Sequence, residues 1–474
     1  MNDDFKTLTI PEIIVKCSEI YCDSPALTAV CGGKTVQKSF VEFRNDCAHL
    51  SNKFHEMKLT GKYIVIDADN DYETVVAVFA AMMCGSIAFP FNFDLPDDII
   101  EYVMGIIKPS LFICHEDNVE TAEGFDCFRD VSIMPVSDIC VTLEDRNKDS
   151  YICSEISQDS PALIILTSGT TSKPKLVLHS HKQINPGKHW WPVKGMSASA
   201  LYHMYGFFLV AIFLCAGGHL MLTDVRHCIE NINAFKPSEL MGTPSFLTML
   251  MRQHEAGIVD FSNLKTVMSC CAPANRETLK KYQAIGVETH DEYGSTETGT
   301  TLGIRAKGGD PEGSVGYVQD EALKIDNNGE VLVDAAYTFI EYIGNPEATK
   351  EAIGDGWFHT GDIGKIVDGF LFITGRIKNV IILSNGENVS PESIEDYFYK
   401  FSFIDEVIVK GSDDDIIEAH IYPLDGNADY MGDIQNAVKS YNKTVPSYYK
   451  VGRVILRDKP FEKNATNKIL RNKI

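Results

Sequence analysis

Short apolar, β-prone stretches alternate with amphipathic ones over the first three hundred positions of the chain. Lys62 to Asp67, Ser86 to Phe91 and Leu111 to Cys114 read as strands, with helical spacing over Thr74 to Cys84 and Ile99 to Ile107 between them. The rhythm returns further on. His219 to Leu222, Glu239 to Met241, Lys265 to Ser269 and Val287 to His290 read as strands, and Cys228 to Ala234, Phe246 to His254 and Arg276 to Ala284 as helices. Alternation of this kind predicts parallel sheets covered by helices, with ligands beyond the carboxyl ends of the strands. From Glu312 hairpin signals take over: Ala322 to Ile325, the turn Asn327-Asn328-Gly329, then Val331 to Val333. After Arg376, a helix over Pro391 to Phe401 with Ser390 as N-cap, strands Glu406 to Lys410 and Glu418 to Tyr422, and a helix over Asp433 to Tyr441 predict a compact α+β unit. The expected fold is α/β. Residues 1–377 would form a large domain of parallel-rich sheets flanked by helices, with a small β-barrel-like subdomain, and residues 378–474 a small α+β domain.

One polar stretch interrupts the pattern. Leu166-Thr167-Ser168-Gly169-Thr170-Thr171-Ser172-Lys173-Pro174-Lys175 lies between the β-prone flanks Ala162 to Leu166 and Leu176 to His179. Short side chains and a glycine let backbone N–H groups and hydroxyls converge on phosphate oxygens, and a lysine adds point charge. The plainer reading is a Ser/Thr-rich hairpin turn. Gly32-Gly33-Lys34-Thr35 imitates the end of a Walker loop, but Thr28 stands where that motif needs glycine, so a hairpin turn is the better account.

Composition narrows the partners. A chain of 474 residues, 44% hydrophobic and 23% charged, is expected to fold into more than one soluble domain. The acidic start has no apolar signal region after it, and the apolar run Phe207 to Ala216 is too short to cross a bilayer, so a cytoplasmic protein that does not enter the membrane is expected. Thirteen cysteines, an odd number without a C-x-x-C pair, read as reduced core residues. A formal charge of −23 argues against nucleic acid. From Lys439 to the end, ten basic residues face two acidic ones; this basic tail is either a solvated face or a source of cations for a polyphosphate.

Further segments join the cradle: Asp291-Glu292-Tyr293-Gly294-Ser295-Thr296-Glu297, Gly356 to Asp362, Gly375-Arg376-Ile377-Lys378 and Asn467-Lys468-Ile469-Leu470-Arg471. In order and spacing they resemble the acyl-adenylate-forming superfamily of acyl-CoA synthetases, peptide-synthetase adenylation domains and luciferases, over nearly the whole chain. The resemblance implies attack of a small carboxylic acid on the α-phosphate of ATP with Mg²⁺, release of pyrophosphate, and transfer of the acyl group to coenzyme A or a carrier-protein phosphopantetheine. It implies that Thr167, Ser168, Gly169, Thr170, Thr171 and Lys175 hold the β- and γ-phosphates. Tyr293 would lie along adenine, Thr296 would reach the α-phosphate, and Glu297 is a hard oxygen ligand for Mg²⁺. Asp362 would accept from the ribose hydroxyls, with Arg376 nearby as a donor. Ala272, Pro273, Glu292, Gly294 and Ser295 complete the nucleotide site. Lys378 takes the hinge position of a mobile small domain. Lys468 would bridge the carboxylate and the α-phosphate as catalyst of adenylation.

The chain departs from the family pattern at Ser172, Leu176, Asn467 and Cys270-Cys271, where others carry glycine. The family places the Cys271 region beside the acid, so Cys270, Cys271 and Phe207 are expected to line the acyl pocket and narrow it. His203, in Tyr202 to Phe208, would border the carboxylate. No aspartate follows until Asp224, which disfavours an α-amino acid and favours a small aryl or acyl acid. Gly386 to Pro391 resembles the loop that admits the pantetheine arm. Coenzyme A is the first expected acceptor and a separate acyl carrier protein the second. The lost glycines keep open a catalytically inactive nucleotide- or acyl-AMP-binding protein.

Overall fold

In the computed structural model the described residues are 5–144, 151–167, 173–187, 192–299, 302–303, 309–318, 322–384, 387–401, 403–412, 414–463 and 469–474. Two seven-stranded sheets form the frame of the large part. The first runs Glu288–Asp291, Thr266–Ser269, Glu239–Gly242, Lys194–Ser197, His219–Leu222, Pro25–Cys31, Lys34–Ser39, parallel throughout except for its final hairpin. The second runs Glu341–Tyr342, Lys175–Ser180, Pro161–Thr167, Ile87–Phe91, Tyr63–Asp67, Leu111–Cys114, Ser132–Pro135. Its inner pairs are parallel, and the hairpin around the cradle adds antiparallel strands at one edge.

Helices Tyr72–Met83 and Met204–Ala216 are buried along their whole length. A helix that is apolar all round has no face to offer water, so it must sit inside. Both contribute to one large core with residues of the two sheets, among them Ile64 and Leu163 of the second and Leu220 and Met268 of the first, and Phe79 stacks on Phe207 at 5.6 Å. The Gly32-Gly33 segment is the turn of a β-hairpin, with φ of 53° and 76°, the left-handed pair that a tight hairpin needs.

The hairpin region forms a five-stranded sheet of antiparallel pairs, built from Leu323–Ile325, Glu330–Asp334, Ile353–Gly354, Trp357–Val367 and Phe370–Arg376. The smaller C-terminal part packs helices Pro391–Phe398 and Met431–Asn442 around the three strands Ile404–Gly411, Ile417–Pro423 and Val451–Leu456, with its own core around Ile394, Phe398, Val407 and Ile421.

Three expectations need correction. The helix from Pro391 ends at Phe398 and not Phe401; Phe401 continues the apolar spacing without helical backbone because it packs on the same core, stacked on Phe403 at 5.2 Å. Ser390 occupies the N-cap position but makes no side-chain cap bond; its hydroxyl donates instead to the Thr374 carbonyl at 2.7 Å, tying the helix to the preceding sheet. The basic tail is partly neutralised within the fold, since Arg453, Lys463, Arg471 and Lys473 pair with Glu418, Glu406, Glu395 and Glu462.

Candidate active site

The carboxyl ends of the parallel strands carry most of the polar groups singled out by sequence. Thr167 closes one strand and Lys175 opens the next; the two are cross-strand partners, and the Lys175 amide donates to Thr167 Oγ1 at 3.3 Å. Ser168, Gly169, Thr170, Thr171 and Ser172 lie outside the described residues, as do Gly386, Asn467 and Lys468.

Lys175 leads to a residue that sequence reading missed. Its ammonium sits 4.2 Å from the ring centre of Tyr342, whose hydroxyl donates to Glu297 Oε1 at 2.9 Å. Tyr342 lies on a two-residue strand paired with Lys175–Ser180, so the sheet edge delivers it beside the lysine. No spacing rule marks a lone tyrosine on so short a strand. Glu297 is half-buried, and its backbone carbonyl accepts from the Phe339 amide at 2.8 Å. A carboxylate offers about four lone-pair sites, and Tyr342 uses one of those on Glu297. A hard, partly enclosed carboxylate fits a phosphate-bound Mg²⁺, which takes one or two protein carboxylates and keeps phosphate and water for the rest.

Thr296 stands in the turn before Glu297. Ser295 and Thr298 brace that turn through Ser295 N to Thr298 Oγ1 at 3.0 Å and Thr298 N to Ser295 Oγ at 3.3 Å. Gly294 is exposed and Tyr293 half-buried. The Tyr293 hydroxyl donates to Asp362 Oδ2 at 2.7 Å, and Arg376 Nε to Asp362 Oδ1 at 2.8 Å. Burial, and then the Asp362 carboxylate, push the Tyr293 hydroxyl well above its ordinary pKa, so it stays a donor.

Asp362 and Arg376 meet because they are direct cross-strand partners. The Thr-Gly-Asp segment is not a free turn. It lies within strand Trp357–Val367, where pairing jumps from Leu332↔His359 to Glu330↔Ile363, so the strand carries extra residues there. Gly361, at φ 71°, permits this bulge, which re-aims the neighbouring side chain. Lys378 follows on a short exposed 3₁₀ turn, Ile377–Asn379.

The end of the first sheet forms a second buried group. Tyr205 donates to Glu292 Oε2 at 2.9 Å, beside Cys270 and Cys271. Cys271 has φ 73°, a left-handed backbone that costs a side chain about 1–2 kcal/mol and costs glycine nothing. Ala272 and Pro273 follow in the loop after strand Thr266–Ser269. His203 is the N-cap residue of helix Met204–Ala216 and packs edge-on to Tyr202. Phe207, one turn on, is fully buried and stacked on Phe79. Burial raises the Asp291 carboxyl to about 8, with Glu292 and Asp396 pushing the same way and Arg276 against; Asp396 belongs to helix Pro391–Phe398, so the small part faces this edge of the large one.

Elsewhere, Asp69, Asp71 and His115 come together after strands Tyr63–Asp67 and Leu111–Cys114. His115 Nε2 lies 3.3 Å from Asp71 Oδ2 and 3.6 Å from Asp69 Oδ2, and its interaction with Asp71, ahead of the opposing burial, lifts the imidazole to about 9, so the three form an ion-paired cluster.

Lys175, Tyr342 and Glu297 thus form one chain of contacts and Arg376, Asp362 and Tyr293 a second, with Glu297 near enough to act electrostatically on Arg376. They supply a lysine beside a polyhydroxyl loop, a hard carboxylate, and an aromatic–carboxylate pair, which together match a phosphate tail, its cation and a nucleoside.

Comparison with known proteins gives the family and the fold. The AMP-binding enzyme family matches residues 16–337, and its C-terminal domain model matches residues 378–474. The chain belongs to the AMP-binding enzyme family, and so to the acyl-adenylate-forming superfamily. Among relatives, the putative acyl–CoA ligase YdaB of Bacillus subtilis is 29% identical over 396 residues, 75% of this chain and 77% of that protein. Feruloyl-CoA synthase of an Amycolatopsis species is 24% identical over 439 residues, 85% and 87% respectively. The fold matches the anthranilate CoA ligase AuaEII, crystallised with anthranoyl-AMP, with a TM-score of 0.87 at 18% identity, covering 98% of this chain and 96% of that one. ATP-bound MatB of Rhodopseudomonas palustris gives 0.83 at 20% identity, covering 98% of each.

Proposed function

We propose that this enzyme is an AMP-forming acid–thiol ligase that activates a small aryl or acyl carboxylic acid with ATP and passes the acyl group to coenzyme A. The observation that carries this reading is the pair of contact groups, Lys175–Tyr342–Glu297 and Tyr293–Asp362–Arg376, in a chain whose family is established. In the first step a carboxylate oxygen bonds to the α-phosphorus and the bond to pyrophosphate breaks, giving acyl-AMP. In the second, a thiol sulfur attacks the acyl carbon and AMP leaves.

The assignments follow the chemistry of each group. Thr167, Lys175 and the hydroxyls between them bind the leaving pyrophosphate. Glu297 holds Mg²⁺, which neutralises phosphate charge when bound. Tyr293 packs on adenine, Asp362 and Arg376 orient the ribose, and Thr296 contacts the α-phosphate. Glu292, Gly294, Ser295, Ala272 and Pro273 wall the nucleotide. Lys468 supplies positive charge between the two anions as they meet. His203, Cys270 and Cys271 border the acid, and the left-handed Cys271 narrows its space. Residues 378–474 turn about Lys378 between the two steps. Among the described residues no helix is long and apolar enough to cross a membrane; a cytoplasmic location is part of this proposal.

An acid-dependent pyrophosphate-release assay over aromatic, short-chain and hydroxy acids, with and without coenzyme A, tests the reading. Turnover that needs both an acid and ATP, with a thioester formed on adding coenzyme A, is the expected result. A thioester formed only on an added carrier protein would identify a stand-alone adenylation enzyme, and no turnover across the panel would leave a binding protein.

A further inference from the structure

Of the buried carboxylates of the small part, Glu395, Glu406 and Glu418, none is used by the proposed chemistry, and the first two bind the end of the chain. Glu395 is 5% exposed and Glu406 6%, both among apolar residues such as Ile394, Phe398, Val407 and Val409. Each is satisfied in part by backbone: Val409 N donates to Glu395 Oε1 at 2.6 Å, and Phe461 N to Glu406 Oε2 at 2.7 Å. Their remaining partners come from the last residues of the chain. Lys463 Nζ is 2.6 Å from Glu406 Oε1, and the Arg471 guanidinium reaches Glu395 Oε2 with Glu392 close by. Between these anchors Lys463 and Ile469 pair as an isolated antiparallel bridge, and Lys410 Nζ donates to the carbonyl of Ile474 at 3.1 Å.

The five residues between Lys463 and Ile469 include Lys468. Both flanks of that short segment are therefore tied to the domain core by buried charge. Burying such pairs is a poor way to gain stability, because an apolar pair of similar volume is often as stable or more so; what a buried pair does provide is one defined placement. A carboxylate that accepts a guanidinium and an amide leaves little freedom for the strand bearing them.

We propose that Glu395–Arg471 and Glu406–Lys463 are positioning pairs that hold Lys468 for the adenylation step and have no part in thioester formation. This rests on the assignment of Lys468 as the adenylation catalyst. An ammonium about 1 Å out of place forfeits roughly a hundredfold in rate.

The test compares the two half-reactions in Glu395→Leu/Arg471→Met and, separately, Glu406→Leu/Lys463→Met, with Lys468→Ala alongside. Acid-dependent pyrophosphate exchange measures the first step, thioester formation from supplied acyl-AMP the second, and thermal melting the fold. The expected result is a ~100-fold fall in pyrophosphate exchange, thioester formation within a few-fold of the unmodified enzyme, and a melting temperature unchanged or raised. Restoring Arg471 as lysine opposite the native Glu395 should recover part of the exchange rate. Exchange that survives both double substitutions overturns the proposal. So does loss of both steps together with a lower melting temperature, because the pairs would then be holding the domain and not the lysine. If Lys468→Ala itself leaves exchange intact, the assignment of Lys468 fails instead, whatever the pairs do.

Discussion

Asp362 and Glu395 are both carboxylates less than a tenth exposed, and both are bonded to an arginine. Asp362 stands on a bulged strand at the rim of the large part, and its partner Arg376 keeps 47% of its side chain exposed. Glu395 lies within an apolar core, and Arg471 keeps 27%. At the rim, water or a ligand can share the charge. In the core only the chain's own terminus does so, and burial raises the Glu395 carboxyl to about 7 although Arg471 and the Val409 amide oppose it. A carboxylate–arginine pair thus stands open to solvent in one region and is enclosed by apolar side chains in the other.

The strongest way to break this contrast is at the rim. Asp362→Ala removes the acceptor for Tyr293 and Arg376, and a hydrogen-bonded charge of this kind is worth about 3 kcal/mol. ATP affinity measured by calorimetry should fall by roughly a hundredfold, with the melting temperature of the small part unmoved; unchanged affinity would remove Asp362 from the nucleotide site.

Acid sharpens the contrast, because the two regions should respond with opposite sign. Burial holds His179 down to about 3, against a contact with the Thr296 backbone, and His181 down to about 4. Below pH 6.5 the unfolded chain takes up those protons and that of His219, which burial also holds down to about 4, while Asp291, raised to about 8, works in the opposite sense; on balance the large part loses roughly 3 kcal/mol per pH unit as the pH falls. For Glu395 the folded value lies above the unfolded value of 4.5. Its contribution is therefore fully present below pH 4.5 and is lost as the pH rises through 7, by about 1 kcal/mol per unit. Calorimetric scans from pH 7.5 to 5 should show the transition of the large part moving down while that of the small part holds or rises. Two transitions moving down together would refute this.

Tyr342→Phe probes a subtler link at the rim. It deletes the bond to Glu297 and keeps the ring over Lys175, so kcat/KM for ATP should drop about tenfold, in line with one hydrogen bond to a charged group, and the Mg²⁺ concentration for half-maximal ATP binding should rise. An unshifted Mg²⁺ dependence would dissociate Tyr342 from Glu297. The smallest effect is expected for Cys271→Gly, which relieves a left-handed cysteine at φ 73°. The melting point should rise slightly, in line with about 1 kcal/mol, and larger acids should become substrates; an unaltered acid range would show that Cys271 does not border the pocket.

Much of this was legible in the residues themselves. The strand–helix rhythm, the hairpin at Gly32-Gly33 and the core of the small part follow from spacing and turn chemistry, which act between near neighbours in the chain. The polar run Thr167 to Lys175, the Thr-Gly-Asp segment and the Tyr293 to Glu297 run stand out in the sequence because each gathers its polar residues in a few consecutive positions. Tertiary structure alone decided which of these groups touch. Tyr342 reaches Glu297 across 45 positions, Tyr205 reaches Glu292 across 87 and Arg471 reaches Glu395 across 76. None of those pairs has a period or motif to announce it. Local pattern sets which elements form, because backbone preference and side-chain periodicity are short-ranged. Burial and charge pairing join positions that only the closed fold brings together, so they are read from the fold and not from the order of residues.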